Sequence, residues 1–252
     1  MERLIWLTGA SSGIGEAFAR VAAQEGYSLA LTARNAESLH RLVEACQGEG
    51  RVVASFPGDV TDRGEMARVA EAIRSQLGEI SLLVANAGTH IPTDVRRFDV
   101  MQYETLMRVN YFGVLNCIEA VLPRMLEQNR GHLVAVSSVA GYRGLPRAAA
   151  YGASKAALTH FMESLRLDLD RTGIVVTVVS PGFVRTPLTD KNDFTMPFLM
   201  EADDAARAML QGIAQKQMEV HFPKRFTYLL KLLRVLPYPL YHRLIASKVS
   251  PS

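Results

Sequence analysis

Residues 4–25 read LIWLTGASSGIGEAFARVAAQE, and the reading of this stretch decides what the rest of the chain builds. Leu4–Thr8 is a short continuous apolar run, the pattern of a strand covered on both faces. Thr8-Gly9-Ala10-Ser11-Ser12-Gly13-Ile14-Gly15 then turns the chain into a helix beginning near Ile14. Glycines at such a turn let the backbone approach a pyrophosphate, and the helix N-terminus behind them favours the negative charge. The spacing is G-x-x-x-G-x-G rather than G-x-G-x-x-G, and taken alone it also serves as a plain structural turn. Its position between a first strand and a first helix favours the phosphate reading.

Outward from there, β-branched apolar runs alternate with longer amphipathic stretches, which is how βαβ units with a parallel sheet read. Strands are predicted at Leu4–Thr8, Ser28–Thr32, Arg51–Ser55, Leu82–Ala85, His132–Ser137, Val175–Ser180 and Glu219–Phe222. Helices are predicted near 14–25, 36–48, 63–77, 101–128, 152–171 and 202–216. The expected fold class is α/β, a Rossmann-type doubly wound sheet of seven parallel strands with helices on both faces. Residues 1–252 are expected to form a single dinucleotide-binding and catalytic domain, with 221–252 a basic, apolar C-terminal extension. Right-handed crossovers gather the strand carboxyl ends at one edge, where ligands bind.

With 252 residues, 48% of them hydrophobic and 21% charged, the chain can bury a large core without staples. Its net charge of +3 is too small to argue for nucleic acid. No acidic residue follows Glu219, whereas Lys224, Arg225, Lys231, Arg234, Arg243 and Lys248 do, and without those six the remainder carries −3. The basic character belongs to the tail. Cys46 and Cys117 lie far apart and match no metal-ligand spacing, so they are expected to be reduced thiols and no metal is expected. The opening MERLIWLTGASSG shows no basic segment followed by an apolar one, so no secretory signal and a cytoplasmic location are predicted.

The second strand ends LALTAR. An acid about 20 residues past the glycines would bond a ribose 2′-hydroxyl. Ala33 and Arg34 stand there instead. A guanidinium matches a 2′-phosphate in charge and donor geometry, which favours NADP(H) over NAD(H); the plainer reading of Arg34 is a solvated loop. Asp59-Val60 follows the third strand and Asn86-Ala87-Gly88 the fourth. Asp59 can accept from an adenine amino group, and Asn86 with Gly88 lets the chain pass near a ribose, although turn chemistry accounts for either alone. Tyr151 and Lys155, four apart at a helix start, project from one face. Free tyrosine, with a pKa of about 10, is a poor base at neutrality. An ammonium about 4 Å away contributes roughly 4 kcal/mol at an effective dielectric of 20, so Lys155 is expected to lower the phenol's pKa. Ser138 closes the fifth strand, and Asn110 lies in the long helix before it.

TGASSGIG, DV, NAG, Asn110 in RVNYFG, SS at 137–138, YGASK at 151–155 and PG at 181–182 together resemble the short-chain dehydrogenase/reductase family over roughly residues 1–220. The resemblance implies hydride transfer between a nicotinamide and a carbonyl or alcohol. It makes Tyr151 the acid/base and gives Ser138 the substrate oxygen. Lys155 would bind the ribose and Asn110 would hold a relay water. It maps Gly9, Ser11, Ser12, Gly13, Ile14, Gly15, Arg34, Asp59, Val60, Asn86, Ala87, Gly88 and Val109 onto cofactor contacts, with Tyr151 and Lys155. Pro181, Gly182, Val184 and Thr186 would lie near the carboxamide. Ala85 departs from the pattern, since many members carry asparagine there. The helices near 101–128 and 152–171 imply a homodimer or homotetramer, by analogy.

Phe183–Met200, with Pro187, Phe194, Pro197, Phe198, Leu199 and Met200, reads either as a substrate lid or as a loop packed on the core. Tyr142 and His90 are candidate pocket residues, with His90 more simply a loop histidine. In the tail, a helix over 226–236 would set Phe226, Leu229, Leu230 and Leu233 on one face and Thr227, Lys231 and Arg234 in a polar stripe. Packing on the molecule or on a dimer partner is the expected role, with peripheral membrane contact the alternative. The function expected is an NADP(H)-dependent reductase of a lipophilic ketone or aldehyde. A non-catalytic NADP(H)-binding regulator, an epimerase or dehydratase, and a membrane-surface interaction protein are the competitors.

Overall fold

The computed structural model describes residues 4–191 and 196–246. Seven strands, β1 (Leu4–Thr8), β2 (Ser28–Thr32), β3 (Val53–Ser55), β4 (Leu82–Ala85), β5 (Gly131–Val136), β6 (Ile174–Pro181) and β7 (Glu219–Phe222), form one sheet in the order β3-β2-β1-β4-β5-β6-β7. Every pairing is parallel. The helices are α1 (Gly13–Gln24), α2 (Ala36–Cys46), α3 (Arg63–Leu77), α4 (Val100–Met107), α5 (Gly113–Glu127), α6 (Ala149–Asp168), α7 (Ala202–Ala214), α8 (Lys224–Arg234) and α9 (Tyr238–Ala246). This is the doubly wound α/β architecture expected from the alternation of patterns.

Alternate strand residues serve opposite layers. On β1, Ile5 and Leu7 pack with α1, α2 and α7, while Leu4 and Trp6 pack with α3, α5 and α6. Cys46 is buried in the first layer and Cys117 in the second. The fully buried Trp6 spends its indole N–H on Thr32 Oγ1 at 2.9 Å, so even the largest core side chain leaves no polar group unmet. Asn35 and Asp62 cap α2 and α3 by accepting from Ser38 N and Glu65 N. At α1, by contrast, Ser12 makes no side-chain cap bond.

Beyond shifts of one to three residues at other element ends, three differences from expectation have a physical cause. β3 begins at Val53 rather than Arg51, because the Arg51 guanidinium turns back to the Cys46 and Gln47 carbonyls at the end of α2. The single long helix expected over 101–128 is α4 and α5 joined by a π-helical turn at Arg108–Phe112. The third difference lies in α8, where Phe226 and Thr227 are the buried residues and Leu229 is half exposed. Part of the expected outward polar stripe therefore faces in. Thr227 Oγ1 bonds His221 Nδ1 at 2.6 Å, and Lys231 Nζ donates to Glu219 Oε2 at 2.6 Å. Strand β7 is an edge, and its polar side chains draw the helix's polar side toward them. Among the described residues no helix is long and apolar enough to cross a membrane.

Candidate active site

The crossover direction reverses between β1 and β4, and the strand carboxyl ends there open a cleft of about 600 Å³. Its floor is the turn after β1. Gly9 and Gly13 hold φ of +66° and +60°, a region that strains other residues. A Cβ on Gly9 would sit 2.7 Å from Ala87 Cα, and one on Gly15 only 2.1 Å from the Gly9 carbonyl oxygen. The turn can close only with glycine at both places. Asn86 Nδ2 laces it from behind, donating to the Thr8 and Gly9 carbonyls at 3.1 Å each. With no side-chain cap on α1, its first N–H groups remain for an anion.

Gly9, Ser11, Ser12, Gly13 and Ile14 all line this cleft, as do Arg34, Asp59, Val60, Asn86, Ala87, Gly88 and Val109. Ser138, Tyr151 and Lys155 line it too, as do Pro181, Gly182, Val184 and Thr186. Gly15 and Asn110 stand just behind the surface. Arg34 is exposed at the rim of the cleft. Asp59 Oδ1 accepts from both the amide and the hydroxyl of Thr61, so that oxygen serves the local turn.

Helix α6 carries Tyr151 and Lys155. The turn holding Lys155 is tied to β5 by Ser137, whose Oγ donates to the Lys155 carbonyl at 2.9 Å. Lys155 Nζ donates to the Val136 carbonyl at 2.8 Å and lies 5.8 Å from the Tyr151 ring centroid. Burial lowers its pKa to about 8. Burial also raises the Tyr151 phenol above its ordinary value, against a lowering hydrogen bond from Ser138. The lowering expected from Lys155 has no part in this shift, and the ammonium is bonded to the Val136 carbonyl. Ser138 Oγ also accepts from Ala140 N at 3.1 Å, which fixes the hydroxyl at the start of a short 3-10 turn.

Asn110 is fully buried in the π turn. Its Oδ1 accepts from Thr89 N at 2.8 Å, and its Nδ2 donates to Thr89 O and Ser154 Oγ at 3.0 Å each. Thr89 and Ser154 were not singled out in the sequence, although Ser154 sits inside YGASK. His90 does have a partner: its ring packs edge-on to Tyr151, centroids 4.9 Å apart. Tyr142 lies outside the cleft lining, buried with Val139 and Phe226, and its hydroxyl bonds Glu219. Thr105, Ile91, Pro187 and Leu188 also line the cleft.

The loop after β6 is clamped at its base. Val184 bridges Met200, Arg185 pairs with Glu201 at 2.9 Å, and Phe183 and Phe198 stack on Phe226. Phe194, named as part of the lid, lies outside the described residues.

A family model described as short chain dehydrogenase matches residues 3–196. The chain is 41% identical to an uncharacterized oxidoreductase of Myxococcus xanthus over 95% of this chain and 94% of that protein. It is 36% identical to an uncharacterized oxidoreductase of Staphylococcus epidermidis over 85% and 92%. Among solved structures, a short-chain dehydrogenase from Sphingobium yanoikuyae in complex with NADPH superposes with a TM-score of 0.80 at 28% identity, covering 93% of this chain and 96% of that one. A short chain dehydrogenase/reductase from Burkholderia phymatum in complex with NAD has a TM-score of 0.84 at 24% identity, covering 100% and 98%, and shares the fold.

Proposed function

The chain belongs to the short-chain dehydrogenase/reductase family of oxidoreductases, and from that premise we propose that it is an NADP(H)-dependent reductase of lipophilic ketones or aldehydes. One observation carries the reading: Ser138, Tyr151 and Lys155 share one cleft with a glycine turn and an uncapped helix N-terminus. The cleft fits a dinucleotide because glycine at 9 and 15 lets the turn close tightly and the uncapped start of α1 leaves N–H groups for a pyrophosphate. Arg34 favours the 2′-phosphorylated form, and the Sphingobium relative bound to NADPH supports the same choice.

When bound, the reduced nicotinamide supplies the hydride. Tyr151, held protonated at neutral pH by its burial, gives its proton to the substrate oxygen. Ser138 donates to that oxygen and orients it. Lys155 holds the ribose hydroxyls, and Asn110 keeps the loop carrying Thr89 in register and holds the water that resupplies Tyr151. His90, edge-on to the phenol, limits its rotation. A lipophilic substrate is favoured by Ile91, Pro187 and Leu188 in the cleft lining.

The chain acts as one domain with 221–252 as its extension, in the cytoplasm. It pairs as a homodimer or homotetramer through α5 and α6, where Leu126 and Leu167 are exposed, with Phe112 exposed in the π turn just before α5. The test is NADPH consumption against a panel from small diketones and quinones to long-chain ketones and steroids. Tyr151→Phe is expected to lower turnover by about a hundredfold or more while NADPH affinity stays within a few-fold. Near-normal turnover in that variant would remove Tyr151 as the acid. Silence across the panel with NADPH binding intact would favour a nucleotide-sensing protein.

A further inference from the structure

Helices α8 and α9 are half-embedded. Among the described residues of the two helices and the join between them, Phe226, Thr227 and Tyr241 are buried, while Leu229, Leu232, Val235, Tyr238, Leu240 and Leu244 are between 49% and 77% exposed. Singly exposed apolar side chains are ordinary, but six within sixteen consecutive residues make a patch. Lys224, Arg225, Arg234 and Arg243 are exposed around it. No carboxylate follows Glu219 before the C-terminus, and Glu219 is itself held by Lys231 and Tyr142. The patch is apolar and of one charge sign.

The patch is also fixed in place. Phe226 stacks on Phe183 and Phe198 at 5.5 and 5.8 Å, and Thr227 is bonded to His221. Arg143 reaches from the turn after Ser138 and donates to the carbonyls of Leu233, Arg234 and Leu236 at 2.7–3.0 Å. Its guanidinium also lies 3.9 Å from the Tyr241 ring centroid. The outer side chains are thus presented outward on a mount bonded to the body of the protein.

We propose that the outer face of α8 and α9 docks on an anionic bilayer surface. Helices of eleven and nine residues are about 16 and 14 Å long, well short of the about 30 Å needed to cross, so they lie in the interface plane. Leucine and valine enter the acyl boundary, tyrosine sits at headgroup level, and the surrounding Lys and Arg meet lipid phosphates. Charge argues against a second copy as the occupant. A two-fold contact through this face would set the cations against their own copies with no carboxylate on the patch to answer them. This inference goes beyond the reductase reading and is tested by binding, without turnover.

Full-length protein is floated with phosphatidylcholine vesicles and with vesicles containing about one-third phosphatidylglycerol, at low and high salt. Recovery with the anionic vesicles is expected to exceed that with the neutral ones by about tenfold at low salt, and to fall as salt rises. Leu232→Ser with Val235→Ser, and separately Arg234→Gln with Arg243→Gln, are each expected to lower it about tenfold with the thermal transition unchanged. Equal recovery on both vesicles, or none on either, overturns the proposal. So does a Leu232→Ser, Val235→Ser variant that floats normally but has lost an oligomer by light scattering, which would make the patch a subunit contact. Docking only to an acidic protein, with no vesicle binding, overturns it as well.

Discussion

Burial moves the two groups proposed for the reacting centre in opposite directions, raising the Tyr151 phenol and lowering the Lys155 ammonium to about 8. Both shifts have the same origin, since each favours the neutral form in a dry site. A phenol that keeps its proton at neutral pH suits a proton donor. With its pKa lowered to about 8, Lys155 loses its charge before the phenol does, so a loss of function at alkaline pH is expected to follow lysine before tyrosine. The value of kcat/KM for NADPH is expected to fall as pH rises through about 8, and a profile flat to about pH 10 would contradict this. At the cleft rim, Arg34→Asp is expected to shift the NADPH-to-NADH ratio of kcat/KM by about a hundredfold, since a cation is replaced by an anion that repels phosphate and accepts from a hydroxyl. An unchanged ratio would take Arg34 out of cofactor choice. Tyr151 and Lys155 were legible because both lie on one helical turn. The contact between His90 and Tyr151 was not, because it spans 61 positions and nothing local encodes it.

Between α4 and α5 the π turn adds a bulge that points Asn110 at Thr89 and Ser154. Apolar periodicity averages over several turns, so it sees one long helix there and misses the wider turn. The limits of β1, β2, β4 and β7 were readable to the residue because apolar runs end where burial ends. The inward side of α8 was not, because it follows Glu219 and His221 on β7, partners that periodicity cannot name. The join between α8 and α9 depends on Arg143. Arg143→Ala strips the donors from three carbonyls and is expected to cost about 1–3 kcal/mol, read as a lower thermal midpoint and faster proteolysis after Leu233. A midpoint equal to that of the wild type would show the clasp to be incidental.

At the scale of the molecule, β1 is placed centrally between β2 and β4, so the strand that leads into the glycine turn is supported on both edges. The alternation of strand and helix patterns made the class of fold readable. The layer each helix joins follows from where the crossovers change direction, which only the assembled sheet reveals. Each layer, moreover, contains one thiol: Cys46 at the end of α2, toward the β3 edge, and Cys117 in α5 over the middle of the sheet. Burial raises both pKa values, Cys117 to about 12, so neither reacts while its layer stays closed. The protein thus carries its own pair of clocks. Modification by a thiol reagent under native conditions times the opening of each layer separately, and Cys46, near an edge, is expected to be labelled well before Cys117. Equal rates at the two would mean that the sheet loses both coverings in a single cooperative event.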